Sequence, residues 1–127
     1  MAYRILRWFL RLIARAFFRQ IEVVGLDNIP VDPHTNAPAG GVIFAGNHPN
    51  SLLDPVLIIT TCGRRVSFAA KDTLFKSRLL KLVLDGLGAV PIARRDDHGA
   101  GKPLDNDKAF EAMFEVLGRG EAIGIFP

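Results

Sequence analysis

Val42-Ile43-Phe44-Ala45-Gly46-Asn47-His48-Pro49-Asn50-Ser51-Leu52-Leu53-Asp54-Pro55 holds an apolar run, a polar turn and a helix start in one short span. The run lies in a buried strand expected over 41–46. Asp54-Pro55 has the form of a helix start with proline at the first helical position, and that helix runs to about Cys62 and stops at Gly63. A histidine therefore falls where a strand ends, with a carboxylate shortly after it, and strand ends are where open α/β sheets place their chemistry. A His–Asp pair can take a proton from a hydroxyl, because the carboxylate fixes the ring tautomer and stabilises the imidazolium that forms. The chain has no G-x-S-x-G elbow, and its single cysteine, Cys62, reads as a small buried hydrophobe. The pair would then activate a hydroxyl of the substrate.

Strands and helices alternate on either side of this span. Ile21–Val24 reads as a short strand ending at Gly25, and 27–40 as a loop with three prolines. Arg65–Ala69 is the next strand, with Lys71 just after it. Ser77–Asp85 is a helix with Leu79, Leu80, Val83 and Leu87 on one face and Gly86 as its stop. Ala89–Ala93 is a strand whose Pro91 suits a sheet edge. A polar loop over 94–106 precedes a helix over 107–117, in which Phe110, Met113, Phe114 and Leu117 recur at i, i+3, i+4, i+7. Ala122–Phe126 begins another strand. This order predicts an α/β fold, a layered sheet with flanking helices.

At 127 residues the chain makes one domain at most, and 49% hydrophobic residues suffice for a core. One cysteine gives no disulfide framework and suits a reducing compartment. Five of the sixteen basic residues fall in 1–20, which holds no acid; the body carries the other eleven against all thirteen acids. Arg4, Arg7, Arg11, Arg15 and Arg19 recur every four residues or fewer and form one stripe on a helix, with Trp8 and Phe18 at its border. Ile5, Leu6, Phe9, Leu10, Ile13, Ala16 and Phe17 cover the rest. Residues 1–20 are thus expected to be an amphipathic helix at a membrane interface, touching it through Arg4, Arg7, Trp8, Phe9, Arg11 and Phe17. Five arginines disfavour a span, and the absence of a cleavage site disfavours a signal peptide. A transit peptide and an ordinary packed helix are the alternatives.

Three segments in order resemble the glycerolipid acyltransferase superfamily, enzymes that acylate glycerol 3-phosphate or lysophosphatidic acid in phospholipid biosynthesis. Asn47-His48 with Asp54 matches the first block, Gly88–Arg95 the second, and Phe126-Pro127 the start of a Phe-Pro-Glu-Gly third; Phe68–Lys71 with Leu74-Phe75 resembles the segment between the first two. The His-to-Asp spacing is one residue longer than the commoner pattern and is similar to that of a yeast-type branch. On this resemblance, residues 21–127 are the N-terminal part of an acyltransferase domain, interrupted inside its third block.

The resemblance implies His48 as general base, Asp54 as its orienting acid, and Arg94, with Arg95 and Lys71, at the acceptor phosphate. It implies acyl-CoA or acyl-ACP as donor, acyl carrier protein as a possible partner, and a place on the cytoplasmic face of a membrane. Asp54 could instead be a helix N-cap, Arg94-Arg95 a solvated pair beside Asp96-Asp97, and Lys71 a surface lysine. The start of the Asp54 helix could offer backbone N–H groups to developing negative charge. No metal or cofactor is expected. Two rival functions are a non-catalytic membrane-associated module and a nucleic-acid binder using the basic arm; the acidic body and the lack of a nucleic-acid-binding fold oppose the latter.

Overall fold

The computed structural model describes residues 1–47, 49–50, 52–93 and 106–126. In chain order the elements are α1 (Ala2–Phe17), β1 (Val42–Ala45), α2 (Leu53–Thr61), β2 (Val66–Lys71), α3 (Arg78–Leu87), β3 (Val90–Ile92), α4 (Asp107–Gly118) and β4 (Ala122–Ile125). The four strands form one parallel sheet of order β1-β4-β2-β3, which confirms the α/β expectation. Pro91 sits on the edge strand β3, where its missing N–H costs no ladder bond.

Period-two alternation along the strands divides the core into two layers. Val66, Phe68 and Ala122, with Val42 and Phe44, point to the face covered by α1, α2 and α3. Val90 and Ile123 point to the other face, against Ala109, Met113 and Val116 of α4. The path steps across the sheet from β1 to β2 to β3, then back from β3 to β4. A right-handed crossover puts the helix on opposite faces for opposite steps, which is why α4, alone among the helices described, lies on the second face.

Four local expectations are corrected. Ile21–Val24 is not a strand: among the described residues no strand pairs with it, and Val23 and Val24 are exposed, so its β-branched composition has no partner there to act on. Gly86 does not stop α3. The helix runs on to Leu87 and ends at Gly88, whose φ of 71° needs no Cβ penalty. Gly86 instead lies under α1, where an added Cβ would stand 3.5 Å from Leu6 Cδ2. On α3 itself Leu79 and Leu80 are exposed, while Val83, Leu84 and Leu87 are partly covered. On α4 the sheet side is Ala109, Ala112, Met113 and Val116, and Phe110 and Phe114 are exposed, Phe114 at 69%. Small residues let the helix approach the sheet closely, so the bulky rings are turned to its flank.

Helix α1 lies across the C-terminal ends of α2 and α3. Tyr3 is buried, its hydroxyl accepts the Val66 N–H at 3.0 Å, and the Arg65 guanidinium lies 5.1 Å from its ring centroid. Burial pushes the Tyr3 phenol above its ordinary pKa, so it stays neutral. Arg11 Nε donates to the Thr60 carbonyl at the end of α2, at 3.1 Å. A cation there also complements the negative end of the helix dipole. Tyr3, Leu6, Leu10 and Ala14 thus make the packed side of α1. Ile5, Trp8, Phe9 and Leu12 are exposed, Trp8 at 62%. No helix among the described residues is long and apolar enough to cross a membrane.

Candidate active site

Because all strands are parallel, their carboxyl ends lie along one edge of the sheet. Ala45 pairs with Ile125, Gly124 with Phe68, and Lys71 with Ile92. The β1–β4 ladder continues one residue past β1, where the Gly46 N–H donates to the Ile125 carbonyl at 3.3 Å. That bond ties the start of the Asn47-His48 motif to the strand that leads into Phe126-Pro127. Phe126 in turn stacks on Phe68, centroids 5.6 Å apart and planes 2° from parallel. Two of the segments singled out in the sequence are therefore held side by side by the sheet.

Asp54 is the second residue of α2, and Pro55 the third, so Asp54 is not the N-cap. Its Oδ2 accepts the Asn50 N–H at 2.9 Å, a reach back over the preceding turn like that of the acid in a capping box. The carboxylate is thereby drawn toward the turn that follows β1. The Asn50 carbonyl accepts the N–H groups of Leu53 and Asp54, at 3.1 and 3.2 Å. Those two donors are committed and Pro55 has none, so residues 53–55 offer no spare N–H to developing negative charge.

Lys71 closes β2 and is partly buried, followed by a 3₁₀ segment, Asp72–Lys76. His48, Arg94 and Arg95 lie outside the described residues. Of the arm residues expected at a membrane, Arg4, Trp8, Phe9 and Phe17 are exposed. Arg7 is half-buried, and Arg11 is held to Thr60. The helix ends at Phe17 and Phe18 is extended, so Arg19 leaves the helical stripe.

Two residues of this architecture went unremarked in the sequence. Asn106 bonds Ala93 in both directions: its Oδ1 accepts the Ala93 N–H at 2.9 Å, and its Nδ2 donates to the Ala93 carbonyl at 3.1 Å. The side-chain amide thus replaces a neighbouring strand at the residue just before Arg94. An Asn immediately before an amphipathic helix was the available signal, read only as part of a loop. Asn106→Ala should release the backbone at Ala93 and cost about 1–3 kcal/mol of stability, as urea unfolding would show. Arg64 is buried, and its Nη2 donates to the carbonyls of Gly40 and Gly120, both at 2.8 Å. It joins the loops entering β1 and β4 at the end of the sheet opposite the candidate site.

The family model for acyltransferases matches residues 20–127. The chain is 28% identical over 102 residues to glycerol-3-phosphate O-acyltransferase 2 of Saccharomyces cerevisiae, covering 72% of this chain and 13% of that protein. It is 26% identical over 102 residues to an uncharacterized acyltransferase of Schizosaccharomyces pombe, covering 75% of this chain and 14% of that protein. No solved structure gives a significant match. The family match spans nearly all of the chain beyond α1 and places this chain in the acyltransferase family.

Proposed function

We propose that this protein transfers an acyl group from acyl-CoA or acyl-ACP to a hydroxyl of glycerol 3-phosphate or lysophosphatidic acid. The observation that supports it most is the Asn50–Asp54 bond, which draws the carboxylate back over the turn containing the His48 position. In this reading His48, oriented by Asp54, takes the proton as the acceptor oxygen attacks the thioester carbonyl. The tetrahedral intermediate collapses, the C–S bond breaks, and the departing thiolate recovers the proton from the imidazolium. No ester to the enzyme forms. Lys71 and Arg94, with Arg95 beside it, hold the acceptor phosphate, so that binding energy from a remote group positions the reacting hydroxyl.

Membrane association belongs to the same reading. The outward side of α1 exposes Ile5, Trp8, Phe9 and Leu12 beside the arginine stripe, an arrangement suited to the interface of an anionic, cytoplasm-facing leaflet.

A thioester-release assay with glycerol 3-phosphate and lysophosphatidic acid as alternative acceptors tests the reaction. Arg94→Ala should raise the apparent KM for the active acceptor by about tenfold or more while leaving that for the thioester within about twofold. Equal effects on both substrates, or none, would return Arg94 to a solvated arginine.

A further inference from the structure

On the far side of α2 from Asp54 is a second candidate binding site. The last turn of α1, the segment after it and the end of α2 enclose a cleft of about 580 Å³. Arg11, Arg15 and Arg19 line it, with Phe18, Ile21 and Thr61. None of its lining residues is acidic, and residues 1–20 hold no acid at all. Arg11 is fixed by its bond to the Thr60 carbonyl. Neither Arg15 nor Arg19 has a hydrogen-bond or ion-pair partner among the described residues. The cleft and Asp54 are separated by nearly the full length of α2, about 10 Å at the helical rise. It is therefore not the acceptor pocket proposed at the strand ends.

We propose that this cleft binds the phosphate of an anionic phospholipid while α1 lies in the membrane surface. The proposal rests on the membrane reading above and gives it a specific site. Three guanidiniums around one hollow supply forked donors to phosphate oxygens, and the hollow has room for a phosphate and its glycerol. The choice of a lipid over a free anion comes from the neighbours. On the helix, Leu12 is three residues before Arg15 and Trp8 seven, so both share its face, and both are exposed. A headgroup seated among the arginines would have its acyl chains beside those apolar side chains. The break at Phe18 contributes as well: by leaving the helix, the chain carries Arg19 around the cleft rim.

The test is co-sedimentation of the protein with phosphatidylcholine vesicles, with and without phosphatidylglycerol. That lipid is neither acceptor nor product of the proposed reaction, and its phosphate is its only charge. Binding therefore reports on the cleft even if the acyl-transfer reading fails. Binding should require phosphatidylglycerol. Arg15→Gln/Arg19→Gln should weaken it by at least about tenfold, and Lys108→Gln/Arg119→Gln, which removes the same charge elsewhere, by less than about threefold. All four side chains are exposed, so the variants should melt with the wild type. Equal losses in the two variants would replace the cleft with diffuse attraction. Displacement from vesicles by millimolar inorganic phosphate at constant ionic strength would make a soluble phosphate the occupant. Absence of vesicle binding would overturn the proposal outright.

Discussion

His48→Ala is expected to lower acyl-transfer turnover by about 100- to 10,000-fold, the usual contribution of a positioned general base. The acceptor hydroxyl is a poor nucleophile until its proton is taken, and no serine elbow or cysteine motif offers another route. Donor and acceptor KM values should change little, since in the proposed mechanism the imidazole acts on a proton and not on the phosphate or the acyl chain. The melting temperature should also hold. Asp54→Asn makes an informative contrast. An amide oxygen can still accept the Asn50 N–H seen in the structure, so the turn should survive while the charge that steadies an imidazolium is lost. Turnover should therefore fall without unfolding. Turnover within a few-fold of wild type in His48→Ala would remove the histidine from the mechanism.

Gly124→Ala should be the most damaging single-methyl change in the core. Gly124 is the third residue of β4, paired on one side with Phe44 and on the other with Phe68. The Phe68 ring crowds it, so closely that an added Cβ would overlap the ring carbons Cε1, Cδ1 and Cζ. Phe68 is buried, with Phe126 stacked on it. The ring can yield only by disturbing that stack or the sheet. A cost of about 1–3 kcal/mol is the usual penalty for overfilling a packed interior, read from urea or thermal unfolding. Phe68→Leu in the same background should recover part of the loss, the signature of two residues contesting one volume. An unchanged midpoint in Gly124→Ala would mean that the ring is not seated as described. A displaced Phe126 would also be felt at the third sequence block, so activity should drop more than stability explains.

The strand–turn–helix at 42–61, the edge placement of β3 and the two-layer α/β architecture were legible because each rests on local periodicity or turn chemistry. What could not be read depends on which surface each element meets. Ile21–Val24 has strand composition but no partner strand among the described residues. Gly86 and Gly88 look alike in sequence, yet only Gly88 takes the left-handed turn that ends the helix; a Cβ at Gly86 would meet Leu6 at ordinary contact distance. In α4 the phenylalanines mark the stripe by hydrophobicity, yet the alanines set the contact by size. In α1 one apolar surface divides into a packed half and an exposed half, a division that helical spacing alone does not contain. The Asn106 clamp joins residues whose relation appears only when the chain returns to the sheet.

The strand order β1-β4-β2-β3 has a consequence for how the molecule comes into being. β1 and β2 are not neighbours; the strand between them is β4, made last. On a ribosome adding about 5–20 residues per second, β4 follows β1 by about 80 residues, or roughly 4–16 s. Throughout that interval neither β1 nor β2 has its native neighbour on the side β4 will fill. Helix α1 waits nearly as long, since the ends of α2 and α3 that it packs across are made well after it. The nascent chain thus presents an apolar, arginine-striped helix and two open strand edges before the four-stranded sheet can close. The time spent so exposed is set by topology, and a membrane surface or a chaperone within reach of the exit tunnel would meet α1 before its own domain does.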